Sequence, residues 1–165
     1  MSERDSEPAM KNRTTVERKS DLELVVTRTF DAPPRIVFEA WTKPELFRKW
    51  WVPKSMGMSL LSCEMDVRVG GRYRLEFAHG DSQSAFFGTY KEVTPHSRLV
   101  WTNEESDEGS VTTVTFAEKG GKTLLVMHEL YPSKEALDAA GTGAADAMGE
   151  TFEQLDELLV SLGAR

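Results

Sequence analysis

Residues 24–51 have the sequence LVVTRTFDAPPRIVFEAWTKPELFRKWW, which contains three consecutive structural signals. Apolar and polar side chains alternate up to Phe30, which predicts a strand over residues 22–30. Pro33 and Pro34 then indicate a helix start, because a proline in the first turn lacks only an N–H that would be unpaired there anyway. Pro44 begins a second short helix that is predicted to end at Trp50-Trp51. This order of a strand followed by two short helices restricts the set of folds that the chain can adopt.

The rest of the chain is predicted to be mostly strand, followed by one long helix. Gly70-Gly71 and Gly120-Gly121 are typical of two-residue hairpin turns, since glycine accepts the positive φ that such turns need. Consecutive strands joined by short turns form an antiparallel meander. The sequence therefore predicts an α+β fold in which a curved antiparallel sheet of about seven strands wraps around a C-terminal helix. The six further strands are expected at residues 59–69, 72–77, 86–93, 99–103, 111–116 and 123–130, and the helix presents Met148, Phe152, Leu155 and Leu159 on one face.

Length and composition indicate one globular domain. The chain has 165 residues, of which 39% are hydrophobic and 28% are charged, as expected for an ordinary soluble protein. Residues 1–20 are rich in Ser, Glu, Arg and Lys and show no apolar period, so we predict a flexible polar tail there. Residues 21–165 are predicted to form the single folded domain.

Several classes of protein are disfavoured by the sequence. It has no apolar run long enough for a membrane span and no apolar signal core at its N-terminus, and Cys63 is its single cysteine. These features predict a cytoplasmic protein without an intrachain disulfide. The net charge of −7 argues against nucleic-acid binding. Residues 133–165 carry seven acidic and two basic groups, which indicates either a solvated helix face or a docking face for a basic partner.

No motif in the sequence predicts catalytic residues, a metal site or a cofactor. The glycine pair at residues 70–71 lacks the strand-to-helix context of a phosphate-binding loop, and no serine lies in a nucleophile elbow. The three histidines lie on separate segments without ligand spacing. His128 and Glu129 point to opposite faces of a strand, so one of them faces inward. An inward His128 could donate a proton or a hydrogen bond to a ligand, and an outward one would be a half-exposed strand residue.

Four segments resemble a known family. They are FDAPPRIVFEAWTKPELFRKWWVP (30–53), MDVRVGGRYRLEF (65–77), GTYKEVTPHSRLVWT (88–102) and MGETFEQLDELL (148–159). In this order they are similar to the activator-of-heat-shock-protein-90-ATPase-like branch of the START and birch-pollen-allergen superfamily. The resemblance covers roughly residues 22–162 and implies a helix-grip fold with a cavity between the sheet and the C-terminal helix. It implies no single activity, since fold alone does not settle function.

Aromatic and methionine side chains are the candidate ligand-binding residues. They occur on nearly every predicted element, and each would also suit a filled core. Ligand pockets are usually apolar with a few polar groups, and methionine gives adaptable contacts. The predicted ligand-binding residues are Trp51, Met65, Tyr73, Phe77, Phe86, Tyr90, Trp101, Met127, His128, Met148 and Phe152.

Three functions remain open on the sequence alone. The leading hypothesis is a binding protein for a hydrophobic small molecule, held in an apolar cavity. A co-chaperone that stimulates a heat-shock-protein ATPase, and so acts in the stress response, is implied by the resemblance alone. The third is a cyclase- or hydrolase-like enzyme acting on a hydrophobic substrate, which the missing catalytic motifs disfavour. The sequence is compatible with a monomer or a homodimer.

Overall fold

The computed structural model describes the backbone of residues 14–52, 57, 59–104, 109–140 and 143–162, and their side chains except those of residues 79, 139, 140 and 143–148. Within these ranges it contains eight strands and four helices. The strands are β1 (Thr15–Arg18), β2 (Glu23–Phe30), β3 (Ser59–Met65), β4 (Arg72–His79), β5 (Ser82–Thr94), β6 (Arg98–Thr102), β7 (Val111–Lys119) and β8 (Lys122–Leu130). The helices are α1 (Pro34–Thr42), α2 (Pro44–Phe47), α3 (Lys134–Ala140) and α4 (Gly143–Ser161).

All eight strands belong to one antiparallel sheet with the order β1-β2-β8-β7-β6-β5-β4-β3. Strands β3 to β8 form the predicted meander, and β2 pairs with β8. The long strand β5 pairs with two strands: residues 82–89 pair with β4, and residues 90–94 pair with β6. The α+β class and the antiparallel sheet predicted from the sequence are confirmed.

Strand β1 lies inside the segment that the sequence analysis predicted to be a flexible tail. Its residues pair with β2 from Thr15 opposite Thr27 to Arg18 opposite Leu24. Every side chain of β1 is exposed, so the strand is held mainly by backbone hydrogen bonds and leaves no apolar period in the sequence. The tail prediction is therefore corrected for residues 15–18, whereas residues 1–13 lie outside the described residues.

One of the two predicted glycine turns differs from expectation. Gly120-Gly121 forms the expected two-residue turn, with Lys119 opposite Lys122 and both glycines at positive φ. Strand β3 instead ends at Met65, and residues 66–71 form a longer connection before β4. The reason is hydrogen bonding away from the β3–β4 pair: the Gly70 N–H donates to the Tyr90 carbonyl, and the Tyr90 N–H donates to the Gly71 carbonyl.

The two short helices follow from their prolines. Helix α1 begins directly after Pro33, whose carbonyl accepts from the N–H of Ile36 and Val37. It ends at Thr42, and the next residue, Lys43, is extended because the residue before a proline avoids the helical region. Helix α2 is shorter than predicted. Its regular part ends at Phe47. The chain then continues in turns, in which the N–H groups of Trp50 and Trp51 both donate to the Phe47 carbonyl.

The core lies between one face of the sheet and helices α1, α2 and α4. Side chains on β2 alternate strictly, so that Leu24, Val26, Arg28 and Phe30 are buried and their neighbours are not. Helix α1 buries its apolar stripe of Val37, Phe38, Ala40 and Trp41 against the same side. Helix α4 contributes Phe152, Leu155 and Leu159, all fully buried.

Two polar contacts fix α4 relative to the sheet and to the segment after α2. Arg28, only 6% exposed, donates to the Asp156 carboxylate at 2.9 Å and so ties β2 to α4. The Gln154 amide donates to the carbonyls of Trp50 at 2.9 Å and Val52 at 2.8 Å. The second contact holds the backbone on either side of Trp51.

Gly88 permits a close approach within the sheet. It lies opposite Tyr73 on β4. A Cβ at this position would overlap the Thr102 carbonyl oxygen and lie 2.9 Å from a ring carbon of Tyr73. A larger residue would therefore push apart the strands that carry Tyr73 and Thr102.

We expect Phe152→Ala to lower the free energy of unfolding by about 3–5 kcal/mol, because the side chain is fully buried and leaves a cavity. Its ring packs against Phe30 at a centroid distance of 5.6 Å. Urea denaturation measures the change, with Val160→Ala as the control on the same helix. Val160 is 49% exposed, so its truncation should cost less than about 0.5 kcal/mol. Similar losses for the two variants would show that Phe152 borders open space.

Gly88→Ala and Gly149→Ala should shift stability in opposite directions. The first forces a clash with backbone and should destabilise the protein by about 1–3 kcal/mol. The second adds a Cβ to helix α4 that meets nothing within 4 Å, and should stabilise the protein by about 0.5–1 kcal/mol. Thermal or urea unfolding of both variants checks this. A stabilising Gly88→Ala would contradict the close packing of β5 against Thr102.

Candidate functional site

A cavity of about 40 Å³ lies between helices α1 and α2 and strands β3 to β6. Seven of the ten described residues that line it are aromatic, and two more are the apolar Met65 and Leu75. The remaining one is Asn103, just after β6. The aromatic lining residues are Trp41, Phe47, Trp51, Tyr73, Phe86, Tyr90 and Trp101.

The helical side of the cavity is a cluster of edge-to-face and stacked rings. Trp41 on α1 is 1% exposed, and its ring centroid lies 5.9 Å from those of both Trp51 and Trp101. Trp51 stacks on Phe47 at 4.8 Å. Such offset and T-shaped pairs add to the stabilisation from burial alone. The cluster sets the position of the Trp51 ring, which is itself only partly buried.

A fixed hydrogen-bonded group forms the polar end of the cavity. The Tyr73 hydroxyl lies 2.9 Å from the Thr102 carbonyl and 3.1 Å from Asn103 Oδ1. The Asn103 amide nitrogen donates to the carbonyl and hydroxyl of Ser110 and to the hydroxyl of Thr112, at 2.9–3.1 Å. Ser110 and Thr112 are buried. The orientation of Asn103 is therefore set by the protein before any ligand enters.

Burial favours the neutral form of two titratable groups on the sheet side, Tyr90 in the cavity wall and Cys63 beside it. Burial, together with the nearby Cys63 and Asp66, raises the pKa of Tyr90 well above its ordinary value. Burial also raises the pKa of the Cys63 thiol, against a smaller opposing effect of Arg48. Cys63 Sγ lies 3.6 Å from the sulfur of the lining residue Met65. The Tyr90 side chain thus meets the cavity as a protonated phenol at physiological pH.

Trp41 carries an unused hydrogen-bond donor. Its indole Nε1 is buried and finds no hydrogen-bond partner among the residues that the structure describes. Leaving such a donor unpaired costs about 1–3 kcal/mol. The neighbouring Trp50, also fully buried, donates its indole N–H to the Ala40 carbonyl at 3.0 Å. Trp41 therefore differs from Trp50 in its hydrogen bonding, although the two rings pack together at 4.9 Å.

The structure brings six of the predicted ligand-binding residues to this cavity: Trp51, Met65, Tyr73, Phe86, Tyr90 and Trp101. It does not place Phe77, Met127 or Phe152 in the described lining; these three side chains belong to the buried core. The side chain of Met148 lies outside the described residues. Whether the six residues bind a ligand stays a prediction.

The position of the cavity differs from the predicted one. We expected it between the sheet and the C-terminal helix, but its described lining comes from α1, α2 and the segment that follows. Next to the part of α4 whose side chains are described, Phe152 fills the interior by packing its ring against Phe30, Trp41 and Trp50.

His128 lies away from the cavity. Its strand neighbour Met127 is buried on the inner face, so His128 points to the opposite face of the sheet. There its Nε2 is 3.6 Å from the Glu23 carboxylate. The alternative of a half-exposed strand histidine describes this position, and the predicted role of His128 in the ligand site is corrected.

Sequence reasoning missed four lining residues, namely Trp41, Phe47, Leu75 and Asn103. Trp41 was recognised as part of the apolar face of α1, but the pattern does not distinguish a core ring from a cavity wall. Asn103 gave no signal, because its role depends on side chains of β4 and β7 that are distant in sequence. No cluster of three or more metal-ligating side chains occurs among the described residues. No helix within the described ranges is both long and apolar enough to cross a bilayer.

Solved structures with the same fold come from several bacteria. A protein from Rhodobacter sphaeroides is 25% identical, with a TM-score of 0.83 over 90% of this chain and 99% of that chain. A protein from Staphylococcus epidermidis is 27% identical, with a TM-score of 0.76 over 89% of this chain and 94% of that one. A protein from Chromobacterium violaceum is 28% identical, with a TM-score of 0.69 over 82% of this chain and 96% of that one. None of the curated proteins compared with the chain matches it.

The family resemblance deduced from the four sequence segments is confirmed by a family model that matches residues 31–160. The matched region begins just before α1 and ends within α4. It therefore includes all ten described residues that line the cavity. The chain belongs to the family described as Activator of Hsp90 ATPase homolog 1-like protein.

Proposed function

We propose that the protein binds a small apolar molecule in the cavity between α1, α2 and strands β3 to β6. The observation that supports this proposal is a space walled by seven aromatic rings with a fixed neutral polar group at one end. Protein interiors are normally packed without gaps larger than a water molecule. Rings that surround a space instead of filling it favour a role in recognition.

The size of the cavity restricts the ligand. A volume of about 40 Å³ holds about three waters, at roughly 10–15 Å³ each. An apolar cavity of roughly 150 Å³ accommodates benzene in another protein, so even one aromatic ring requires the walls of this cavity to move. Phe86 is 41% exposed and Met65 is flexible, and these two side chains are the easiest to displace. We therefore infer a compact, single-ring ligand rather than a long acyl chain.

The chemistry of the lining supports recognition by packing. The ten described lining residues include no carboxylate, imidazole or amine. They offer ring faces, a thioether and neutral hydrogen-bonding groups. A cytoplasmic location agrees with this proposal and with a single free thiol at Cys63.

We expect ethylbenzene to bind at one site per chain and the variant Leu75→Phe to weaken its binding about tenfold. The variant adds bulk to a buried wall residue of the cavity, and overpacking of this kind costs about 1–3 kcal/mol. Leu61→Phe is the matched control, since Leu61 is 49% exposed on the neighbouring strand β3 and is not among the lining residues. Isothermal titration calorimetry gives the Kd of each protein.

Two results would contradict this proposal. If neither ethylbenzene nor palmitate binds saturably to the wild-type protein, the cavity is not a ligand site for apolar molecules. If Leu75→Phe and Leu61→Phe bind ethylbenzene equally well and both are folded by circular dichroism, the ligand occupies a different place. Tighter binding of palmitate than of ethylbenzene would overturn the inferred ligand size.

A second candidate function is stimulation of a heat-shock-protein ATPase, which the family match over residues 31–160 favours. In this case we expect excess protein to raise the ATPase rate of an Hsp90-class chaperone. Glu153 is exposed on the acidic helix α4, and Glu153→Lys should reduce the effect, more strongly at low salt. Leu75→Phe, which alters only the cavity, should leave it unchanged. An unchanged ATPase rate at saturating protein would exclude this function.

A further inference from the structure

We infer that the ligand of this cavity carries a hydrogen-bond acceptor, such as a carbonyl or ether oxygen, which binds the indole N–H of Trp41. The inference rests on the proposed function and specifies the class of molecule. A single aromatic ring bearing an oxygen acceptor satisfies both the apolar lining and this donor. A pure hydrocarbon makes apolar contacts with the lining but leaves the Trp41 N–H without an acceptor.

The inference starts from a contrast between two adjacent tryptophans. Trp41 and Trp50 are 1% and 0% exposed. Trp50 Nε1 has an acceptor in the protein, the Ala40 carbonyl at 3.0 Å, whereas Trp41 Nε1 has none among the described residues. Buried polar groups are nearly always hydrogen-bonded, so an exception calls for an explanation. Trp41 lines the cavity and Trp50 does not. Trp41 Nε1 itself is closed to water in this arrangement of the walls, so an occupant of the cavity supplies the missing acceptor when the walls move, as the size of a single ring already requires.

The required polarity follows from the chemistry of indole. The indole nitrogen is a donor only, so the complementary ligand atom must be an acceptor. The other hydrogen-bonding groups described above do not serve Trp41. The Asn103 oxygen is engaged by the Tyr73 hydroxyl, and the Asn103 nitrogen by Ser110 and Thr112.

The surroundings of Trp41 would strengthen such a bond. Its ring is enclosed by those of Trp51, Trp101 and Phe116, at centroid distances of 5.9–6.0 Å. In an environment of this kind water competes poorly for the donor, and a hydrogen bond is stronger than at the surface. A ligand oxygen therefore gains affinity here, and a hydrocarbon leaves the penalty of the unpaired donor in place.

Acetophenone and α-methylstyrene test the inference as a matched pair, because they differ mainly in a carbonyl oxygen in place of a methylene group. We expect the wild-type protein to bind acetophenone about fivefold more tightly, as one neutral hydrogen bond in a protein site predicts. Isothermal titration calorimetry measures both Kd values. In Trp41→Phe the preference should disappear, while in Trp50→Phe, which removes the same atoms from a ring outside the described lining, it should persist.

Nuclear magnetic resonance provides a second measurement that does not depend on the folding of Trp41→Phe. The four tryptophans give four indole N–H resonances, and Trp50→Phe together with single-site labelling assigns them. Acetophenone should move the Trp41 N–H resonance downfield relative to α-methylstyrene, and leave that of Trp50 nearly unchanged. Because the two probes carry the same ring, the difference between them reports the hydrogen bond.

The possible outcomes separate this inference from the proposed function. Equal affinity for the two probes, or equal positions of the Trp41 resonance in both complexes, would overturn the inference and leave apolar ligand binding intact. This result is expected if the walls of the cavity keep a ligand oxygen away from the Trp41 N–H. Persistence of the acetophenone preference in a folded Trp41→Phe would also overturn it. If neither probe nor ethylbenzene binds, the proposed function and the inference fail together.

Discussion

Burial of the Trp41 ring is the constraint on which the rest of the structure depends. Six aromatic rings have centroids within 6.4 Å of it, and they come from α2, the segment after α2, β6, β7 and α4. One side chain on α1 thus brings together elements that are up to about a hundred residues apart. The same ring forms part of the cavity wall, so the packing that stabilises the fold also shapes the candidate site.

The interior on the helix-covered face of the sheet has two parts: one is filled by side chains, and the other contains the cavity. Near β2 the space is occupied by Phe152, Leu155 and Leu159 of α4, all at 0% exposure. Near β3 to β6 the rings leave a cavity of about 40 Å³. The packed core and the candidate site therefore occupy different parts of the interior. This division places the candidate site against α1 and α2, although α4 is the longest helix.

Polar contacts fix the position of α4, which lies between the filled part of the interior and the segment that carries Trp51. Gln154 fixes the backbone on both sides of Trp51, and the Arg28–Asp156 ion pair fixes the same helix to β2. Breaking a buried ion pair by removing one partner is strongly destabilising, so α4 is not free to shift independently of the sheet. The cavity can therefore adapt mainly through its own side chains, such as Met65 and Phe86, rather than through movement of α4.

The sequence by itself determined the element order, the antiparallel meander and the family, because alternation, helical spacing and proline positions are local signals. It also identified six side chains that line the cavity. It could not reveal β1, whose exposed side chains carry no apolar period, or Asn103, whose partners are brought together only by strand pairing. Tertiary structure alone decided which rings fill the core and which face His128 occupies. It also decided that Trp50 has a hydrogen-bond acceptor while Trp41 has none among the described residues. Those outcomes depend on contacts between distant segments, and no local pattern encodes them.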